Sequence, residues 1–161
     1  MDYFENVVIE YLRADRSLFV NTQCCIQLNE GVNPDTSGPH WYCDAVTVDF
    51  RSKSIFLCEI TFSDPPNALL KRLASWDSSW PDLRKALARD SNLPSDWPVR
   101  PWLFVHERII EKVLSGLRRS APSSMPTPRI TPLEMVFPWR YRSWNRQGEE
   151  AKIPIIPEEM W

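Results

Sequence analysis

Apolar positions along the chain switch between two periods. Phe4, Val7, Val8, Tyr11 and Leu12 recur at helical spacing and predict an amphipathic helix over Tyr3–Ala14. Asp2 suits its N-cap, with Glu5 three residues on in the spacing of a capping box. From Leu18 to Leu28 the period drops to two, with Val20, Thr22, Cys24 and Ile26 on one parity, which predicts a strand. NEGVNPDTSGP then reads as a loop by its Asn, Asp, Gly and Pro content. Two β-branched-rich runs follow, WYCDAVTVDF from Trp41 and SIFLCEITF from Ser54. They flank a short polar turn and predict a hairpin.

Helical spacing returns at Leu69, Leu70, Leu73 and Trp76, extended by Trp80. Asp64 is placed to cap this helix, and proline is tolerated in the first turn. Pro81 breaks or restarts it, and DLRKALARDSN supplies a second helical piece. Leu93–Pro101 reads as a connection, followed by RPWLFVHE, a nearly continuous apolar strand of the kind buried on both faces. Ile109, Ile110, Val113, Leu114 and Leu117 predict a helix over Glu107–Arg118 that stops near Gly116. SAPSSMPTPRITP reads as a linker, and LEMVFPW as a last edge strand in which Pro138 is tolerated. The expected fold is α/β, a mixed central β-sheet flanked by helices, in one domain over residues 1–120. Residues 121–161 form a Pro-rich linker, edge strand and tail packed on that core.

A chain of 161 residues suits a single domain. The net charge of −2 supplies no general attraction to nucleic acid, so any such contact needs a local basic surface. Arg140, Arg142 and Arg146 alternate with Trp139, Tyr141 and Trp144, a combination suited to phosphate contact with base stacking. The plainer reading packs those aromatics on the core and leaves the arginines in water. None of the four cysteines has CxxC spacing, and adjacent Cys24 and Cys25 point to opposite faces of a strand. They read as buried, reduced thiols of a cytoplasmic protein. MDYFENVVIE lacks the build of a signal peptide, and no apolar run approaches the ~18 residues of a membrane span. No membrane partner is expected.

The chemistry sits in the hairpin. Asp44 and Glu59 occupy strand interiors, where a carboxylate is costly to desolvate unless something binds it. A two-residue loop of Arg51 and Ser52 puts Asp44 directly across from Glu59, with Cβ atoms roughly 4.5–5.5 Å apart. A four-residue loop makes them diagonal neighbours, and an odd loop length separates them onto opposite faces. Two carboxylates that close repel, and a divalent cation relieves them. An arginine such as Arg72 or Arg13 would relieve them without a metal.

CDAVTVDF around Asp44 and LCEITF around Glu59 together resemble the PD-(D/E)XK nuclease superfamily, over roughly residues 3–118. The resemblance implies a restriction-endonuclease-like αβββαβ core and metal-dependent hydrolysis of DNA phosphodiesters. Asp44 and Glu59 would then hold Mg²⁺ or Mn²⁺, with the Ile60 carbonyl as a further oxygen. Thr61 stands where the superfamily pattern has a lysine, and brings a hydroxyl that orients water without supplying positive charge. Glu5 would be the first-helix acid that families of this kind often carry. On the helix after the hairpin, Lys71 and Arg72 are the candidate replacements for the lysine and, with Arg140 and Arg142, the candidate nucleic-acid contacts. Helical arithmetic places Lys71 opposite the Leu69–Leu73 stripe and Arg72 on its flank, closer to the sheet. Many nucleases of this fold work as dimers. The alternative is an inactive nuclease-fold module that binds protein or nucleic acid, which the missing lysine and near-neutral charge favour.

Overall fold

A computed structural model describes residues 3–28, 40–119 and 123–137. Five strands form one mixed sheet: β1 (Leu18–Gln27), β2 (His40–Asp49), β3 (Ser54–Thr61), β4 (Val99–Val105) and β5 (Arg129–Pro132). They lie side by side in chain order. The first three are antiparallel, whereas β3–β4 and β4–β5 are parallel. Helix α1 (Tyr3–Arg13) covers one face through Val8, Ile9 and Leu12, which pack on Phe56, Ile60 and Phe104. Helices α2 (Asn67–Ser78), α3 (Trp80–Ser91) and α4 (Ile110–Arg119) cover the other face, packing Leu73, Trp76, Leu83 and Val113 on Leu57, Leu103 and Val105. The expected α/β class, with its mixed sheet and flanking helices, is present. Pro81 restarts the helix as expected, because proline fits the first turn of α3.

Several expectations need correction. Residues 129–132 were expected to be linker, yet they form β5 and bury Ile130 and Thr131 against β4. Trp102 Nε1 donates to Thr131 Oγ1 at 2.9 Å, giving this short strand a side-chain anchor besides its ladder. Leu133–Met135, expected as an edge strand, is instead a single 3₁₀ turn that seats Leu133 in the core beneath α1. Strand β4 begins at Val99, within the expected connection. Pro101 fits there because β5 starts pairing only at Trp102, so no ladder hydrogen bond is required on that side. Asp64 does not cap α2, which starts at Asn67 after Pro66 with no side-chain cap; its carboxylate binds Lys112 Nζ at 2.6 Å instead.

Glycine at position 116 does not stop α4. It lies inside the helix, where an added Cβ would sit 2.6 Å from Leu70 Cδ2, so glycine permits α4 to press against α2. Strand β1 departs from simple alternation. Gln23 has φ 52°, and around it the strand changes face. Leu18 and Val20 pack on the α1 side, while Cys24 and Ile26 pack on the side of α2–α4. A left-handed residue breaks the period of two, so these positions do not share one face. Cys43 and Cys58 are buried as expected, but Cys25 is exposed and Cys24 only half-buried. Arg140, Arg142 and the rest of the C-terminal tail lie outside the described residues.

Leu103 is fully buried at the middle of the sheet, where repacking is most restricted. Leu103→Ala is expected to lower unfolding free energy by about 2–5 kcal/mol. Urea denaturation would show this as a lower midpoint with an unchanged slope.

Candidate functional site

Strands β2 and β3 pair from Asp49↔Ser54 to Ala45↔Cys58, and one more step along this register sets Asp44 across from Glu59. This is the register of the two-residue alternative. Beyond that point the ladder between them ends. Residues 40–43 pair only with β1, and residues 59–61 only with β4, so the sheet forks. Asp44 stands at the fork, and its Oδ2 accepts the main-chain N–H of Ile60 at 2.7 Å. A side-chain carboxylate there replaces the carbonyl that a continuing strand would have offered.

Glu59 is only 2% exposed. Its Oε2 accepts from Arg72 Nη1 of α2, while Oε1 is buried without a hydrogen-bond partner. Burial, then the neighbouring Asp44 charge, push its carboxyl up to about 8 despite the opposing pull of Arg72; Glu5 adds a smaller push in the same direction. Three acidic groups therefore share one electrostatic neighbourhood, and Arg72 is the counter-charge on Glu59. The arginine side chain is 41% exposed, so it reaches the site from solvent.

The other expected site residues fall as follows. Glu5, in the first turn of α1, is partly exposed and close enough to act on Glu59. Thr61 ends β3, and its Oγ1 accepts the Ser63 N–H at 3.2 Å. Lys71 is exposed on α2, away from the buried stripe. Arg72, on the flank of that stripe, is the cation brought to the carboxylates.

A second group at the same end of the parallel strands escaped the sequence reading. Phe62 lies against Phe4, with ring centroids 4.3 Å apart, and against His106 at 4.6 Å. His106 Nδ1 faces Glu134 Oε1, and Asp64 is met by Lys112 and Arg108. The available signal was the His106–Glu107 pair closing an apolar strand, since the carboxyl ends of parallel strands form crevices that take ligands.

Among the described residues, no group of three or more His, Cys, Asp or Glu side chains is assembled to enclose a metal ion. The donor chemistry at the fork still fits a hard cation, because Asp44 and Glu59 are oxygen ligands and Glu59 Oε1 is an orphaned buried acceptor. A cation held there would draw its remaining ligands from main-chain oxygen, water or substrate. No family model, curated protein or solved structure matches the chain.

The raised Glu59 carboxyl has a stability consequence of defined sign. Between its ordinary value of 4.5 and about 8, the folded chain holds one proton more than the unfolded chain. The stabilising contribution is complete below that interval and is lost as pH rises through it, at up to about 1.4 kcal/mol per pH unit. Glu59→Gln removes this contribution. Urea denaturation across the interval is expected to show the variant gaining on the wild type as pH rises.

Proposed function

We propose that this protein is a divalent-cation-dependent phosphodiesterase of the restriction-endonuclease-like type, acting on DNA. The observation that carries the reading is the buried, unpartnered Oε1 of Glu59 beside Asp44, at the fork of the sheet. Asp44 and Glu59 would hold Mg²⁺ or Mn²⁺. The chemistry supplied by that ion when bound is polarisation of a phosphate oxygen and acidification of water.

The chain's own residues do the positioning. Asp44 is oriented by the Ile60 N–H, and Glu59 by Arg72. Arg72, partly in solvent, is placed to neutralise charge on a phosphate, which Thr61 cannot do. As a guanidinium it stays protonated, so it is not the group that accepts a proton from water. Glu5 adds negative charge at the rim and favours cation capture. Lys71, Arg140 and Arg142 remain candidate contacts to the DNA backbone. A second reading, a nuclease-fold module that binds without turnover, is favoured by one observation: the Thr61 hydroxyl is engaged by Ser63 where the superfamily pattern has an ammonium.

The test is cleavage of plasmid and single-stranded DNA with Mn²⁺, alongside thermal denaturation with and without the ion. Wild type should cleave, and Mn²⁺ should raise its melting temperature. Asp44→Ala and Glu59→Ala are each expected to lower the rate by about 100-fold or more and to abolish the thermal shift. Equal activity in all three proteins would eliminate the enzyme reading. A metal-dependent thermal shift without cleavage would select the binding module.

A further inference from the structure

Cys24 on β1 and Cys43 on β2 are direct partners across an antiparallel pair. Cys43 lies in the core on the side of α2–α4, and the change of face at Gln23 brings Cys24 to pack against that same core. Opposed residues in such pairs have Cα atoms roughly 4.5–5.5 Å apart. Disulfides span about 4.4–6.8 Å between Cα atoms, so the spacing of paired strands falls within the range such a bond requires. Both thiols are free.

Access to them is unequal. Cys24 lines an open cleft of about 360 Å³ shared with Cys25, Val46, Leu87, Asp90 and Leu93. Cys43 is 1% exposed and does not line the cleft. The other two cysteines lack this arrangement. Cys25 is exposed but stands across from Tyr42, and Cys58 is buried on the α1 side of the sheet.

We propose that Cys24 and Cys43 form a peroxide-oxidisable dithiol, with Cys24 as the attacking thiol and Cys43 as the resolving one. In the first step the Cys24 sulfur attacks one peroxide oxygen and the O–O bond breaks. Cys24 becomes a sulfenic acid, and the leaving oxygen departs as water with the thiol proton. In the second step the Cys43 sulfur attacks the Cys24 sulfur, the S–O bond breaks, and a second water leaves with the Cys43 proton. Two thiols are oxidised by two electrons to one disulfide, and one hydrogen peroxide is reduced to two waters. The contact with Cys43 also lowers the Cys24 thiol from its ordinary value, against the opposing effect of its partial burial. Cys43 immediately precedes Asp44 in β2, but the inference does not rest on the phosphodiesterase reading and survives its failure.

The experiment treats the full chain with a slight excess of hydrogen peroxide, blocks the remaining thiols, and digests with a protease that cuts after Glu30. That cut separates Cys24 and Cys25 from Cys43, and trypsin cuts after Arg51 and Lys53 separate Cys43 from Cys58, so the linked peptide names its cysteine. Wild type and Cys25→Ser are both expected to yield a disulfide joining the two peptides, and Cys24→Ser none. Cys43→Ala should leave a sulfenic acid on Cys24 that dimedone captures. If Cys43→Ala fails to fold by circular dichroism, the wild-type and Cys25→Ser maps decide alone. A linkage that disappears in Cys25→Ser, or no linkage in folded wild type, would overturn the assignment.

Discussion

The turn between β2 and β3 is tied off by Asp49. Its carboxylate accepts the main-chain N–H groups of Arg51 at 2.9 Å and Ser52 at 3.4 Å, and the Ser52 hydroxyl at 2.7 Å. Arg51 then reaches back to Asp15, donating to both carboxylate oxygens at 3.2 and 3.0 Å. Ser17 bridges the two acids from β1's approach, so turn, helix end and first strand share one polar cluster. This fixes the hairpin register, and a slip of one residue would turn Glu59 toward α1 and away from Arg72. The position of the acidic pair thus depends on a hydrogen-bonded turn at the far end of the hairpin.

Charge balance at the fork follows from that register. Glu59 is buried in β3 opposite Leu103 of β4, where an ionised carboxyl is disfavoured. Arg72 answers part of this, but its exposure weakens the pairing relative to a fully enclosed partner. Asp44 cannot relieve Glu59 and instead adds to the negative potential. It is kept in place because the main-chain N–H of Ile60, left without a strand partner where the ladder stops, needs an acceptor. The same gap in pairing supplies the hydrogen bond that orients one of the two acids.

The strongly periodic parts of the fold were legible in the sequence. The apolar faces of α1 and α2 and the β-branched runs of the hairpin stand out because packing of a single face imposes a single period. Asp44 and Glu59 stood out for the opposite reason, as charges inside apolar runs. The flank position of Arg72 also followed from helical geometry, although its pairing with Glu59 depended on which way the sheet faced. Strand β5 was not legible, since four residues bounded by prolines carry no period and are defined by what β4 offers them. Nor was the left-handed turn at Gln23, because a single backbone angle leaves no trace in hydrophobic pattern. The group around Phe62, His106 and Glu134 comes from three separate segments, and only the topology brings them together.

The change of face within β1 has a mechanical corollary. Its first half contributes Leu18 and Val20 to the layer under α1, and its second half contributes Cys24 and Ile26 to the layer under α2–α4. One edge strand is thereby stitched through both hydrophobic layers of the molecule. Peeling it away exposes apolar surface on both sides of the sheet together, so the two layers are bound into one cooperative unit, and the sheet's outer boundary resists fraying more than an ordinary one-sided edge.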